Sequence, residues 1–208
     1  VFSMDGDIAP VAELLVLCEK YNAWLLLDDA HGFGVLGNEG RGIVSHYDLS
    51  SPRIIYMATL GKAAGVSGAF IAGQEVVIET LIQYARSYIY TTAMPPLLSC
   101  ALLKSLALIK GEGWRRKKLM QLTEHLKKDL KLLRWNLLPS DTPIQPIIIG
   151  GNREVMQVRN ALQDKGILVS AIRPPTVPKN SARLRISLSA THSIKDVERL
   201  VIALRELE

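Results

Sequence analysis

The sequence predicts an α/β protein: a mostly parallel sheet covered by helices, followed by a smaller α+β domain. Three observations carry that reading. Short apolar runs alternate with stretches of helical period along the first half. The loops behind the first two runs are rich in glycine and polar residues. After Gly111 and Gly113 the character changes to one long basic helix followed by strands and helices. The expected division is therefore a first domain over 1–110 and a second over 111–208.

The elements follow in order. Pro10 opens a helix over 10–21, where proline suits the first turn and Val11, Leu14, Leu15 and Cys18 recur at helical spacing. Residues 23–27 form a continuous apolar run ending in two aspartates, which reads as a strand buried on both faces. Residues 32–42 hold five glycines and must be a loop of unusual backbone freedom. A second strand is expected over 53–58 and a third over 69–72, with the segment Thr59-Leu60-Gly61-Lys62 between them. Helices are expected over 74–86 and 96–110. In the second half the reading is a helix over 114–134, a strand over 144–149, a helix over 153–165, strands over 167–172 and 183–189, and a helix over 193–207. Residues 1–7 read as the end of a strand running into a loop.

Composition excludes several classes. Of 208 residues, 48% are hydrophobic and 22% charged, which suits a globular protein and argues against disorder. The longest uncharged run, 87–103, contains Pro95 and Pro96 and is a poor membrane span, so no membrane association is expected. Cys18 and Cys100 cannot build a disulfide framework and read as small core residues, and with no signal peptide in view the expected location is the cytoplasm. The net charge of +5 is concentrated in 114–134. That stretch reads as the solvated face of a helix, because Leu119, Leu122, Leu126, Leu130 and Leu133 recur behind the charges; no nucleic-acid partner and no metal site are expected.

Three polar clusters fall where parallel sheets place ligands, at strand carboxyl ends: 3–7, 28–31 and 59–62. Asp28 and His31 stand in Leu-Asp-Asp-Ala-His-Gly. An acid at the end of a buried strand is partly desolvated and calls for a cation, such as a protonated ring nitrogen; the plain alternative is an aspartate capping the next segment. Lys62 follows a glycine in a loop, where a partly buried amine becomes a nucleophile toward carbonyls; the plain alternative is an exposed surface lysine. Thr59 offers a hydroxyl to a phosphate. Taken together, a carboxylate, a histidine, a hydroxyl and an amine are the parts that hold pyridoxal phosphate.

On these residues the sequence resembles the α-oxoamine synthase family of fold-type-I enzymes that use pyridoxal 5'-phosphate. The segments that carry the resemblance are Phe2-Ser3-Met4-Asp5-Gly6-Asp7, Asp28-Asp29-Ala30-His31-Gly32, Gly40-Arg41-Gly42, Gly61-Lys62, Gly65-Val66-Ser67-Gly68, Tyr90-Thr91-Thr92-Ala93-Met94-Pro95-Pro96 and Ala171-Ile172-Arg173-Pro174-Pro175-Thr176-Val177-Pro178. The last is closest to the branch that makes 8-amino-7-oxononanoate for biotin. The resemblance covers this whole chain but only the C-terminal part of the family's, so it implies an incomplete large domain over 1–110 and the small C-terminal domain over 111–208. It also implies that a ring-stacking histidine and a glycine-rich phosphate helix precede Val1, and that residues 1–208 alone are inactive.

The resemblance implies roles residue by residue. Lys62 forms the Schiff base and later moves protons at the substrate α-carbon. Asp28 pairs with the pyridine nitrogen, His31 bonds the phenolic oxygen and Ser3 touches the same region. Thr59 binds the phosphate, and Thr91 or Thr92 reaches the phosphate of a neighbouring subunit in a homodimer with shared sites. Arg173 binds the amino-acid carboxylate through paired donors, and Thr176 lies near the substrate. Arg183 and Arg185 share one strand face and read as structural or interface residues. The implied reaction condenses L-alanine with a pimeloyl thioester of coenzyme A or a carrier protein. A sister activity, glycine C-acetyltransferase above all, is the alternative. Phe33 and the Ala63-Ala64 pair depart from the family pattern; the Phe33 ring either narrows the acyl channel or packs beneath the glycine loop.

Overall fold

The computed structural model describes residues 1–131 and 133–208. It divides into two compact units, one made of Ala9–Gly113 and the other of Val1–Ile8 with Trp114–Glu208.

In the unit Ala9–Gly113, α1 (Val11–Lys20) leads to β1 (Leu25–Asp28), then a glycine loop with a 3-10 turn over Asn38–Gly40, and α2 (Ile43–His46). Next come β2 (Ile54–Thr59), β3 (Ala69–Ala72), α3 (Glu75–Tyr84), α4 (Arg86–Ile89) and α5 (Pro96–Gly111). The sheet order is β1-β2-β3. β1 and β2 run parallel, with Leu25 opposite Ile54 and Asp28 opposite Met57, while β3 turns back antiparallel, with Ala69 opposite Thr59. The resulting sheet is half parallel and half antiparallel, because β2 and β3 are separated by too few residues for a crossover helix.

Two expectations for this unit change. β1 is not covered on both faces: Leu25 and Leu27 are buried, whereas Leu26 is 65% exposed and Asp28 is exposed with it. Cys100 is exposed, and Cys18 only half-buried, so neither is a core residue. On α5 the covered stripe is Leu98, Leu102, Ser105 and Ile109, each partly buried. Cys100 lies off it. A helix apolar on several sides does not reveal by period which side packs.

In the other unit, α6 (Gly113–Leu130) is followed by β4 (Asn136–Leu137), β5 (Ile144–Gly150), α7 (Asn152–Asp164), β6 (Ser170–Ile172), β7 (Ala182–Ser187) and α8 (Ile194–Arg205). The sheet is antiparallel throughout, in the order β4-β5-β7-β6. Helices α6, α7 and α8 bury Leu126, Val155, Leu162 and Leu204 completely against Leu184 of β7. Leu119, Leu122, Leu126 and Leu130 of α6 are buried, as is Leu133 just beyond it, which accounts for the basic run as the outer face of an amphipathic helix. The strand expected from 167 starts only at Ser170, since the Ile167 amide bonds back to the Leu162 carbonyl at 2.9 Å and Gly166 (φ +73°) ends α7. The capping box of Ser193 and Asp196 starts α8; both Ser193 groups bond to Asp196 and hold its carboxyl below the usual carboxylate range.

Residues 1–8 are not the end of a strand and do not cluster with the residues that follow them. The Gly6 amide bonds to the Phe2 carbonyl (2.8 Å) and the Phe2 amide to the Asp7 carbonyl (2.9 Å), closing a turn. The Ser140 and Thr142 hydroxyls both donate to the Gly6 carbonyl, at 2.9 and 2.8 Å. Gly6 itself is required there. Its φ is +72°, and a β-carbon would lie 2.3 Å from the Ile144 carbonyl oxygen.

Leu126 has no exposed surface. Leu126→Ala should cost about 2–5 kcal/mol, whereas Lys128→Ala on the outer face of α6 should stay within about 0.5 kcal/mol. Thermal and urea unfolding check the pair, and equal costs would contradict the assignment of faces.

Candidate active site

The parallel pairing of β1 and β2 sets the geometry in the unit Ala9–Gly113. Asp28 ends β1, and Thr59, two residues beyond its partner Met57, ends β2. Both stand at the carboxyl edge of the parallel pair. The Oδ1 of exposed Asp28 accepts the Ala30 amide at 3.0 Å, which turns the chain toward half-buried His31. Behind Thr59 the chain makes a compact turn: the Leu60 amide bonds to the Gly68 carbonyl (2.8 Å), Val66 to Leu60 (2.9 Å) and Gly65 to Lys62 (3.0 Å). Lys62 sits exposed on this turn rather than in the partly buried pocket that its chemistry suggested. The turn is anchored from below, where the Ser105 hydroxyl of α5 donates to the Ala64 carbonyl at 2.7 Å and Ala64 is buried. Asp28, His31, Thr59 and Lys62 are thus brought to one end of two neighbouring strands.

Desolvation falls on a different acid from the one expected. Asp29, not Asp28, is the fully buried carboxyl. Its Oδ2 accepts hydrogen bonds from the Ile43 amide and the Tyr56 hydroxyl, each 2.7 Å. Burial raises its proton affinity above the usual carboxylate range, against the pull of those two hydrogen bonds. Burial and the adjoining carboxylate likewise push the Tyr56 phenol up. The strand period carried the signal for this: consecutive residues of an extended chain point to opposite faces, and the Asp29 amide still bonds the Met57 carbonyl (2.8 Å), so one of the two aspartates had to turn inward.

The departures from the family pattern resolve locally. The Phe33 ring packs edge-on against Phe70, centroids 5.4 Å apart, and so serves the packing beneath the glycine loop. Ala63 faces Gly34, where a β-carbon on the glycine would approach that of Ala63 to 2.7 Å. Thr91 and Thr92 lie exposed just after α4, and the Thr91 hydroxyl donates to the Ser87 carbonyl.

The unit holding Val1–Ile8 gathers the second set. Ser3, Thr176 and Arg183 line one cavity of about 400 Å³, together with Phe2, Asp5 and Val177. Arg183 is buried. It pairs with Asp5 and bonds Ser181 through Nε to the carbonyl (3.0 Å) and through Nη2 to the hydroxyl (3.1 Å). Arg183 therefore holds the 1–8 turn beside Thr176. Arg173 is exposed ahead of the cis Pro174–Pro175 bond and accepts the Thr176 amide on its carbonyl at 3.0 Å. Arg173 is not among the residues lining that cavity. Arg185, on the same face of β7 as Arg183, has a buried Nε with no partner among the described residues. No group of three or more His, Cys, Asp or Glu side chains among the described residues is placed to hold a metal ion. No helix among them is long and apolar enough to cross a membrane.

The model of the aminotransferase class I and II family matches residues 1–204. A curated 8-amino-7-oxononanoate synthase from Nitrosospira multiformis is 70% identical over all 208 residues, which is 52% of that protein. One from Methylobacillus flagellatus is 56% identical over the same span, again 52% of its length. The chain thus spans about half the length of the curated relatives it matches. Among solved structures, an 8-amino-7-oxononanoate synthase from Francisella tularensis superposes with a TM-score of 0.87 at 32% identity, over the whole chain and 61% of that one. A serine palmitoyltransferase from S. paucimobilis, solved with PLP and myriocin bound, gives 0.93 at 26% identity over the whole chain and 52% of its own.

Asp5→Asn should release the 1–8 turn. It leaves the buried Arg183 guanidinium without its counter-charge, a loss of about 1–3 kcal/mol. Hydrogen exchange at the Phe2 and Gly6 amides should speed up roughly in proportion, and unchanged exchange at both would show that the ion pair does not hold the turn.

Proposed function

The chain belongs to the aminotransferase class I and II family, and its fold is part of a fold-type-I enzyme; from that premise we propose that the protein is a pyridoxal phosphate-dependent acyltransferase of biotin synthesis. It joins L-alanine to a pimeloyl thioester of coenzyme A or a carrier protein, giving 8-amino-7-oxononanoate, carbon dioxide and the free thiol. The observation that supports this reading is the parallel pairing that ends β1 at Asp28 and β2 at Thr59, with His31 and Lys62 each in the turn that follows. The high identity to 8-amino-7-oxononanoate synthases supports the choice of substrates over those of glycine C-acetyltransferase, the sister alternative.

The donor set suits the cofactor. When bound, pyridoxal phosphate supplies an aldehyde for covalent capture and an electron-withdrawing ring. The chain's residues do the rest. The Lys62 amine would hold the cofactor through its aldehyde and, once the substrate's amine had displaced it there, would remove and return a proton at the amino-acid α-carbon. Asp28 would stand beside the ring nitrogen and favour its protonated form. His31 would bond the phenolic oxygen and the Thr59 hydroxyl would donate to the phosphate, with Ser3 assigned by the resemblance to the same cofactor. Thr91 or Thr92 reaches the phosphate in a neighbouring subunit of a cytoplasmic homodimer. Arg173 offers two parallel donors to the alanine carboxylate, and Thr176 stands near the substrate.

Borohydride reduction of the full-length protein with its cofactor should fix the label on the Lys62 peptide, and Lys62→Ala should abolish it. Arg173→Ala should raise KM for alanine about tenfold or more, by loss of a charge-assisted pair, while cofactor binding stays intact. Product analysis with alanine or glycine and a panel of acyl thioesters decides the substrates; acetyl transfer to glycine as the preferred reaction would overturn the pimeloyl assignment.

A further inference from the structure

β1 ends in the carboxylate of Asp28 and a second, Asp29, follows it directly; the chemistry above uses only the first. Asp29 is fully buried. Its Oδ2 takes both available donors, the Ile43 amide of α2 and the Tyr56 hydroxyl of β2, while Oδ1 is buried with no hydrogen-bond partner among the described residues. Two glycines close upon it. A β-carbon at Gly32 would lie 2.0 Å from Oδ1, and one at Gly42 would lie 2.0 Å from Oδ2 and 2.4 Å from the Tyr56 hydroxyl. Both ends of the 32–42 loop are therefore folded onto a single carboxyl. The loop starts on Asp29 as well, since the Gly32 and Phe33 amides bond to its backbone carbonyl at 3.1 and 2.9 Å.

A buried carboxyl with one unpaired oxygen costs stability compared with an apolar side chain in its place. The adjacent Asp28 adds to that cost. Groups kept against stability concentrate where geometry must be held for function. We propose that Asp29 is a positioning residue: by clamping Tyr56, Ile43 and both ends of the glycine loop, it fixes the direction in which Asp28 and His31 leave the end of β1. The inference rests on the functional reading above, in which those two residues contact the cofactor. Tyr56 is its partner in that task. The phenol belongs to the neighbouring strand, so the clamp ties the heading of Asp28 to the strand that ends in Thr59.

The test uses the full-length protein and three variants. Asp29→Asn keeps the volume and one acceptor but puts an amino group where no acceptor stands. Tyr56→Phe removes one donor and leaves the carboxyl in place. Ile54→Val, a buried change on the same strand, is the control for lost stability. Both clamp variants should lower kcat about 10- to 100-fold, with KM for alanine within about threefold, because a small misplacement acts on the reacting geometry rather than on binding. They should move the pH midpoint of the bound cofactor's visible absorption by about half a unit or more, since the carboxylate beside the ring nitrogen has shifted. In the cofactor-free protein, the Ile43 amide should exchange about tenfold faster or more. Ile54→Val should lower the unfolding temperature and leave the absorption midpoint unmoved. If both clamp variants titrate and turn over like the parent, or change only as far as Ile54→Val does for the same lost stability, the inference is wrong while the functional reading stands. If the parent itself takes up no cofactor, both fail.

Discussion

The parallel pairing of β1 with β2 is the constraint on which the rest of the site depends. Leu25 through Asp28 lie opposite Ile54 through Met57, so the two strands end within two residues of each other. Neighbouring strands are about 4.8 Å apart, which brings side chains from sequence positions 28 and 59 to the same edge. A slip of one residue would turn Asp28 inward and Asp29 outward, because alternate residues of a strand face opposite ways. The strand thus divides two chemically equal neighbours between two tasks. One carboxylate stands exposed at the strand's end, and the other is buried against both ends of the 32–42 loop.

Much of this was legible in the sequence. The strands at 54, 69 and 144 and the helices at 11, 96, 113, 152 and 194 announce themselves through short apolar runs and helical period, and their starts fall within two residues of the expected ones. The polar clusters behind β1 and β2 were visible as candidate ligand positions because sheets of this class place ligands at strand ends. Three features were not legible. Which of Asp28 and Asp29 is buried depends on the register of β1, and a four-residue strand with apolar residues on both faces does not reveal its register. The grouping of residues 1–8 with the later unit depends on Gly6, Ser140 and Thr142, contacts more than a hundred residues apart in sequence. The exposure of Cys100 depends on which side of an apolar helix meets Ala64, and composition is silent on that.

Glycine has two different jobs in this chain. At Gly6 a left-handed backbone lets a turn lie against β5. At Gly32 the backbone is ordinary, and the absence of a side chain makes room for the Asp29 carboxyl. Gly42 combines both demands, with φ at +83° and Oδ2 of Asp29 where a β-carbon would stand. A glycine-rich loop is often read as a flexible one. Here the glycines permit close approach to a buried carboxyl group, which accepts the Ile43 amide just past the loop and lies against both the loop's ends.

In the proposed function, a carboxylate at the end of β1 would keep a proton on the ring of a cofactor held by Lys62. The ¹⁵N chemical shift of the ring nitrogen, measured with labelled pyridoxal phosphate in the full-length protein and in Asp28→Asn, tests it most directly. The account predicts a protonated nitrogen at neutral pH in the parent and an unprotonated one in the variant. A nitrogen with the same protonation in both proteins would contradict it.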